Sequence, residues 1–326
     1  MKTEKEKIVS VLGKIDLFIF TPGFEKRSTM LGLSLDPQLV TCAYAFQLDE
    51  NYRVSSEHLN WIKENLNNLE IITYPKNKPF ETFELLAEKI DSYLHTNYKG
   101  TKLRIVIDIT AFTREVLLIL LRIITIPFVA DKTDITFVYM PAKCYQKDWL
   151  TKGVRDIRPV LGYSGLLSPS KKSLLVILSG FEEERIHTII DAFEPSNILL
   201  GHPNEHSSIS SELFKISEQK YLELKNKFQH LIIDEGFTFS CQDILETKQI
   251  ILSIFQKYKD EYNIIIAPLN NKISTLGVAF AGLDQEEIQI CYASANHYNI
   301  ENYSEALDYF YYYKLESLIQ GIYVNN

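Results

Sequence analysis

The chain has 326 residues, 46% of them hydrophobic and 23% charged, which suits a globular protein with a sizeable core and, at about 150 residues each, two domains. A formal net charge of −8 excludes a broad nucleic-acid- or anionic-membrane-binding face, while Lys26, Arg27, Arg114 and Lys272 leave room for a small basic pocket. The four cysteines (Cys42, Cys144, Cys241 and Cys291) form no CxxC pair, so no metal cluster or disulfide is expected, and a reducing cytoplasm is the simplest setting.

The first ten residues, MKTEKEKIVS, are charged and lack the apolar stretch of a secretion signal. Residues 15–20 form a continuous apolar run of strand length, ended sharply by Thr21-Pro22-Gly23. A second strand is predicted over 39–46, a helix over 55–66 capped by Ser55 or Ser56, a short strand over 70–74 and a helix over 80–97. Residues 103–109 (LRIVIDI) read as the central strand of this half, followed by a long helix from Thr113 and a strand over 135–140. The longest apolar run, 116–130, is interrupted by Arg122 and Pro127; it is too short for a membrane span and reads as a buried helix.

Residues 151–172, rich in Gly, Pro and Ser, read as a linker with room for a short strand around Val160. The second half then repeats the order. Strands are predicted at 174–178, 197–200, 231–233, 262–267 and 288–293. Helices are predicted at 182–193, 210–228, 241–258 and 274–283, and a Tyr-rich segment at 309–313 packs on the core as helix or strand. Alternating strands and helices favour parallel sheets with right-handed crossovers. The expected fold is therefore α/β, two tandem Rossmann-like domains (1–150 and 173–326) with mainly parallel sheets, related by pseudo-symmetric duplication.

The duplication is visible in sequence. A strand running into Gly-Phe-Glu occurs as LFIFTPGFEKRS and again as LLVILSGFEEER, and each half later carries a strand followed by a polar turn, DITAFTR and PLNNKIST. In open parallel sheets ligands bind beyond the carboxyl ends of the strands. Helix-initiating turns there expose N–H groups to anions, and Gly23 and Gly180 permit close approach of a ligand. Neither half contains GxGxxG or a Walker A sequence, so a dinucleotide or ATP cofactor is not expected. Around the first turn Phe24, Glu25, Arg27 and Ser28 are candidate ligand contacts, as are Phe181, Glu182 and Arg185 around its repeat. In DITAFTR, Asp108 ends an apolar strand, where an acid is costly unless bonded. Thr110 and Thr113 add hydroxyls and Arg114 a phosphate-pairing fork. The bland alternative makes these an Asx-turn and a helix cap. Asn270, Asn271, Lys272, Ser274 and Thr275 supply amides, a cation and hydroxyls in the second half.

The combination of a turn after the first strand with Asp108-Ile109-Thr110-x-x-Thr113-Arg114 after a central strand resembles the CRISPR-associated Rossmann-fold (CARF) family of bacterial defence systems. Its motif reads Asp/Asn-Leu/Ile-Thr-Gly-Gly-Thr-Lys, with Ala111 and Phe112 replacing the two glycines here and Asn270, Lys272 and Thr275 matching loosely. The resemblance implies a sensor or regulatory protein that binds a nucleotide or a cyclic or linear oligonucleotide, with an effector protein as partner and a homodimer as one assembly.

A rival reading is a nucleotide-processing hydrolase or glycosidase with Glu25 or Glu182 as acid/base. Another is a scaffold subunit whose Tyr-rich carboxyl-terminal segment meets a partner. His187, one helical turn after Glu183, is a pairing candidate. Asp234, Glu235, Asp243 and Glu246 are read as helix-start charge rather than as metal ligands, and no metal is expected. No G-x-S-x-G elbow is present.

Overall fold

The computed structural model describes residues 1–50, 52–145, 149–301 and 303–323. Its strands, in chain order, are β1 (Lys2–Glu4), β2 (Ile15–Phe20), β3 (Val40–Leu48), β4 (Leu69–Tyr74), β5 (Leu103–Asp108), β6 (Thr133–Tyr139), β7 (Ala142–Tyr145), β8 (Thr151–Ser164), β9 (Lys172–Leu178), β10 (Asn197–Pro203), β11 (Phe237–Phe239), β12 (Tyr262–Pro268), β13 (Gln289–Tyr298), β14 (Ser304–Ala306) and β15 (Tyr309–Lys314). The fold is α/β with mixed, mostly parallel sheets, and no helix among the described residues is long and apolar enough to cross a membrane. The chain divides into two compact units, Met1–Cys144 with Asn302–Asn326, and Tyr145–Glu301.

In the first unit the sheet order is β1-β15-β6-β5-β2-β3-β4. The five strands β2 to β6 are parallel to their neighbours and lie in the order third, second, first, fourth, fifth, the arrangement of doubly wound sheets. Burial on both faces explains the continuous apolar runs of the central strands, Leu17–Phe20 in β2 and Ile105–Ile107 in β5, whereas β4 at the sheet's edge is partly exposed. Phe18, Phe20, Ala43 and Ala45 pack against Leu31, Leu59 and Ile62 on one face. On the other, Tyr44 meets Tyr93 of the helix Pro79–Asn97 edge-on, with ring centroids 5.8 Å apart.

The second unit's sheet runs β11-β10-β9-β12-β13-β8. Here too the parallel strands, β9 to β13, follow the order third, second, first, fourth, fifth. Ile186, Ile189 and Ile190 of the helix Glu183–Phe193 cover Leu175, Ile177, Ile198 and Leu200.

Three expectations change, and the open alternative for the Tyr-rich segment is resolved. The 151–172 linker is largely the long strand β8, which pairs antiparallel with β13. Pro159 is tolerated there because β8 is an edge strand, with one side free of ladder bonds. The strand expected at 231–233 reduces to an isolated bridge between Ile198 and Ile232, and β11 takes its place. The Tyr-rich segment is a strand, β15, which joins the first unit's sheet antiparallel to β6. The helix expected at 55–66 begins earlier, at Arg53, with Tyr52 rather than Ser55 or Ser56 as its N-cap residue.

Candidate functional site

A doubly wound sheet has a switch point where successive crossovers change face, between its first and fourth strands. In the first unit those strands are β2 and β5, and the turns that leave them are the two singled out from sequence. They touch: a Cβ added to Gly23 would lie 2.8 Å from the Ala111 Cβ. Glycine is required here by proximity, since any side chain would force the turns apart. Ser28 fastens the first turn, accepting from the Gly23 N–H (3.2 Å) and donating to the Gly23 carbonyl (3.1 Å). His58 Nδ1 lies 2.8 Å from that same carbonyl oxygen.

Within the first turn, Arg27 grips Glu25 with two bonds, Nε to Oε2 at 2.7 Å and Nη2 to Oε1 at 3.1 Å, and donates from Nη1 to the Met140 carbonyl at 2.9 Å. The Ser304 hydroxyl donates to Glu25 as well. With side chains 5% and 11% exposed, this is a buried, bidentate ion pair. Phe24 is half-buried, with Tyr52 and Tyr303 edge-on to its ring at 5.6 and 5.2 Å.

In the second turn, Asp108 is 3% exposed and its Oδ1 accepts from the Thr110 N–H at 2.9 Å, an Asx-turn. Burial pushes its carboxyl up to about 6; the bonds from Thr110 and the charge of Arg27 pull the other way without overcoming it. The buried Thr110 hydroxyl accepts from the Met140 N–H (2.9 Å), and Thr113 caps the helix Arg114–Ile124 through the Val116 N–H (3.3 Å). Arg114, half-buried, is that helix's first residue.

The second unit repeats the plan with different chemistry. A Cβ on Gly180 would sit 2.1 Å from the Leu269 carbonyl oxygen, so the turns after β9 and β12 are in closer contact than their counterparts. Glu182 pairs with Arg185 (3.1 Å; side chains 7% and 3% exposed) and accepts from the Thr151 hydroxyl at 2.6 Å. Phe181 packs on Tyr145, with centroids 4.8 Å apart. Asn270 donates to the Ser179 carbonyl (2.7 Å) and accepts from Cys241 Sγ (3.2 Å). Asn271 caps the helix Lys272–Asp284 through the Ser274 N–H (2.9 Å) and donates to the Cys241 carbonyl (2.8 Å). Ser274 and Thr275 both donate to the Asn271 carbonyl. These four polar side chains are buried and build the turn itself.

The ladder registers identify a difference. Ile19 pairs with Ile107, four residues before Gly23, and Val176 pairs with Ile266, four residues before Gly180. One residue beyond each partner stand Asp108 and Ala267. A buried acid at this register position therefore belongs to the first unit alone.

Ser304, Thr151, Met140, His58 and Cys241 carry no local signal and enter the network only through folding. Among the described residues no three His, Cys, Asp or Glu side chains gather as metal ligands. Asp234 instead bonds Lys257 and Tyr258, and Asp243 caps the helix Ile244–Tyr258. His187 lies 3.3 Å from Glu183, in the expected pairing, and 3.1 Å from Lys227 Nζ. The chain matches no protein-family model and no curated protein.

Proposed function

We propose that the chain is a nucleotide- or oligonucleotide-binding sensor or regulatory protein of a bacterial defence system, acting in the cytoplasm with an effector partner. In this reading it is built from two tandem Rossmann-like domains related by duplication, each holding ligand phosphates at the strand-to-helix turns of its switch point. The observation that carries the proposal is the meeting, in each unit, of a Gly-Phe-Glu turn with the turn after the fourth parallel strand, over a buried Glu–Arg pair.

Two physical arguments support it. Buried ion pairs are weak contributors to stability, because desolvation offsets their attraction, so two of them at equivalent turns point to a positioning role. Arg114 and Lys272 stand on the first residue of their helices, where the dipole already presents positive charge. An anion received at that point meets both the side-chain charge and the helix dipole. Arg114 and Lys272 pair the phosphates, Phe24 and Phe181 meet the bases, and Arg27 and Arg185 hold Glu25 and Glu182 in place. Asp108 makes the first unit the better-equipped copy, accepting a ribose hydroxyl.

A thermal-shift panel of mono-, di- and cyclic oligonucleotides tests the reading. A ligand at one hundred times its Kd stabilises by about 2.7 kcal/mol, and Arg114→Ala should abolish the shift without unfolding the chain. A panel in which no member moves the melting temperature counts against the proposal.

Asp108 also favours a second reading, a nucleotide-processing enzyme, since a carboxyl near pH 6 can exchange a proton under physiological conditions. In that case Asp108 is the acid/base rather than Glu25 or Glu182, whose oxygens already bond Arg27 and Ser304, and Arg185 and Thr151. Product formation lost in Asp108→Asn but kept in Glu182→Gln is the expected signature.

A further inference from the structure

We propose that the first unit binds a polyphosphate-type anion at the amino-terminal end of its central strands, opposite the switch point. A cavity of about 300 Å3 lies where β2 and β5 begin, lined by Lys14, Lys99, Lys102, Arg104, Asp16 and Thr101 among others. At about 30 Å3 per water molecule it has room for several linked phosphate groups.

The scaffold is rigid where it matters. The register that pairs Leu17 with Ile105 makes Asp16 and Arg104 neighbours on adjacent strands. Asp16 Oδ2 accepts from the Arg104 N–H at 2.8 Å, and the Tyr93 hydroxyl donates to the Asp16 carbonyl at 2.6 Å. Turns at Gly13 (φ +61°) and Gly100 (φ +92°) bring in the flanking lysines, with Arg104 Nη1 at 3.6 Å from the place a Gly13 Cβ would occupy.

The charge balance identifies the ligand class. Four cations surround the cavity against a single carboxylate, a local charge of +3 in a chain whose formal net charge is −8. Several surface lysines elsewhere are each matched by a carboxylate, among them Lys7 with Glu4, Lys76 with Glu50, Lys89 with Glu70 and Lys172 with Glu261. At the cavity Lys14 pairs with Asp16 at a long 3.8 Å, and among the described residues no carboxylate pairs with the side chain of Lys99, Lys102 or Arg104. A single cation is enough to complement the carbonyl end of the helix Pro79–Asn97, so that end does not account for four. Four held together repel one another unless a multivalent anion sits between them.

Inorganic tripolyphosphate titrated into the full chain by calorimetry tests the site. Lys99→Glu/Lys102→Glu, at two exposed positions, should weaken binding by roughly tenfold or more. Lys7→Glu/Lys63→Glu, which changes net charge equally at exposed positions away from the cavity, should alter it by less than about twofold. Arg114→Ala should leave it intact, which separates this site from the switch-point turns. Competition by a nucleoside triphosphate is expected, because recognition rests on the phosphates. No saturable binding to the wild type, equal losses in the two lysine pairs, loss in Arg114→Ala alone, or competition only by an unphosphorylated oligonucleotide would each overturn the proposal.

Discussion

Asp108→Asn separates the electrostatic role of the switch-point acid from its structural one. Asparagine keeps the acceptor that bonds the Thr110 N–H at 2.9 Å, so the turn survives, and it removes the ionisable proton. Burial raises the native carboxyl from 3.8 to about 6, so the folded chain holds that proton more tightly than the unfolded chain. The favourable contribution is complete below about pH 3.8 and is lost as pH rises through about 6. Above that window the ionised group costs about 3 kcal/mol relative to its neutral form. The asparagine variant should therefore be more stable than wild type by up to about 3 kcal/mol at pH 8, with the difference shrinking to near zero at pH 4. Urea denaturation at one-unit pH steps measures this. Trp61 fluorescence in a Trp149→Phe background reports the first unit, so a separate transition of the second does not intrude. A difference that stays constant with pH, or a variant less stable at pH 8, refutes the reasoning. An acid kept at such a cost is explained by ligand binding, so the same variant should lose its nucleotide-dependent thermal shift.

Two further outcomes follow from the turns. Arg27→Ala leaves Glu25 buried without its guanidinium and should cost roughly 3–5 kcal/mol in denaturant titration, most of it recovered by Glu25→Gln/Arg27→Met. Gly23→Ala, which brings a methyl group to 2.8 Å from Ala111, should destabilise by about 1–3 kcal/mol. Combining it with Ala111→Gly should restore most of the loss in melting temperature, and a double variant no better than the single one would show that the two turns do not limit each other.

The parallel strands were readable because burial on both faces demands continuous apolar runs. Ile15–Phe20 and Leu103–Asp108 stand within a residue of where their patterns place them. β8 was hidden because Gly153, Pro159 and Gly162 punctuate it, and an edge strand tolerates such residues. β11 is three residues long, and its role as third strand depends on pairing with β10 rather than on any pattern of its own. Alternation in Tyr309–Lys314 is compatible with a strand but cannot say which sheet accepts it, and that sheet is the first unit's. The same division holds at the site. Gly23, Asp108 and Thr113 announce their turns locally, through a strand end and a helix cap. Ser304 reaches Glu25 across 279 residues of chain, and the contrast between Asp108 and Ala267 emerges only from ladder register.

Backbone amide hydrogen exchange on the full chain, with and without a cyclic oligonucleotide at saturating concentration, addresses ligand placement directly. Slowed exchange concentrated at residues 21–28 and 109–116, the two turns that meet over the Glu25–Arg27 pair, is the predicted result. Protection confined to other segments, with these turns exchanging as fast as in the free chain, would contradict a ligand site at the switch point.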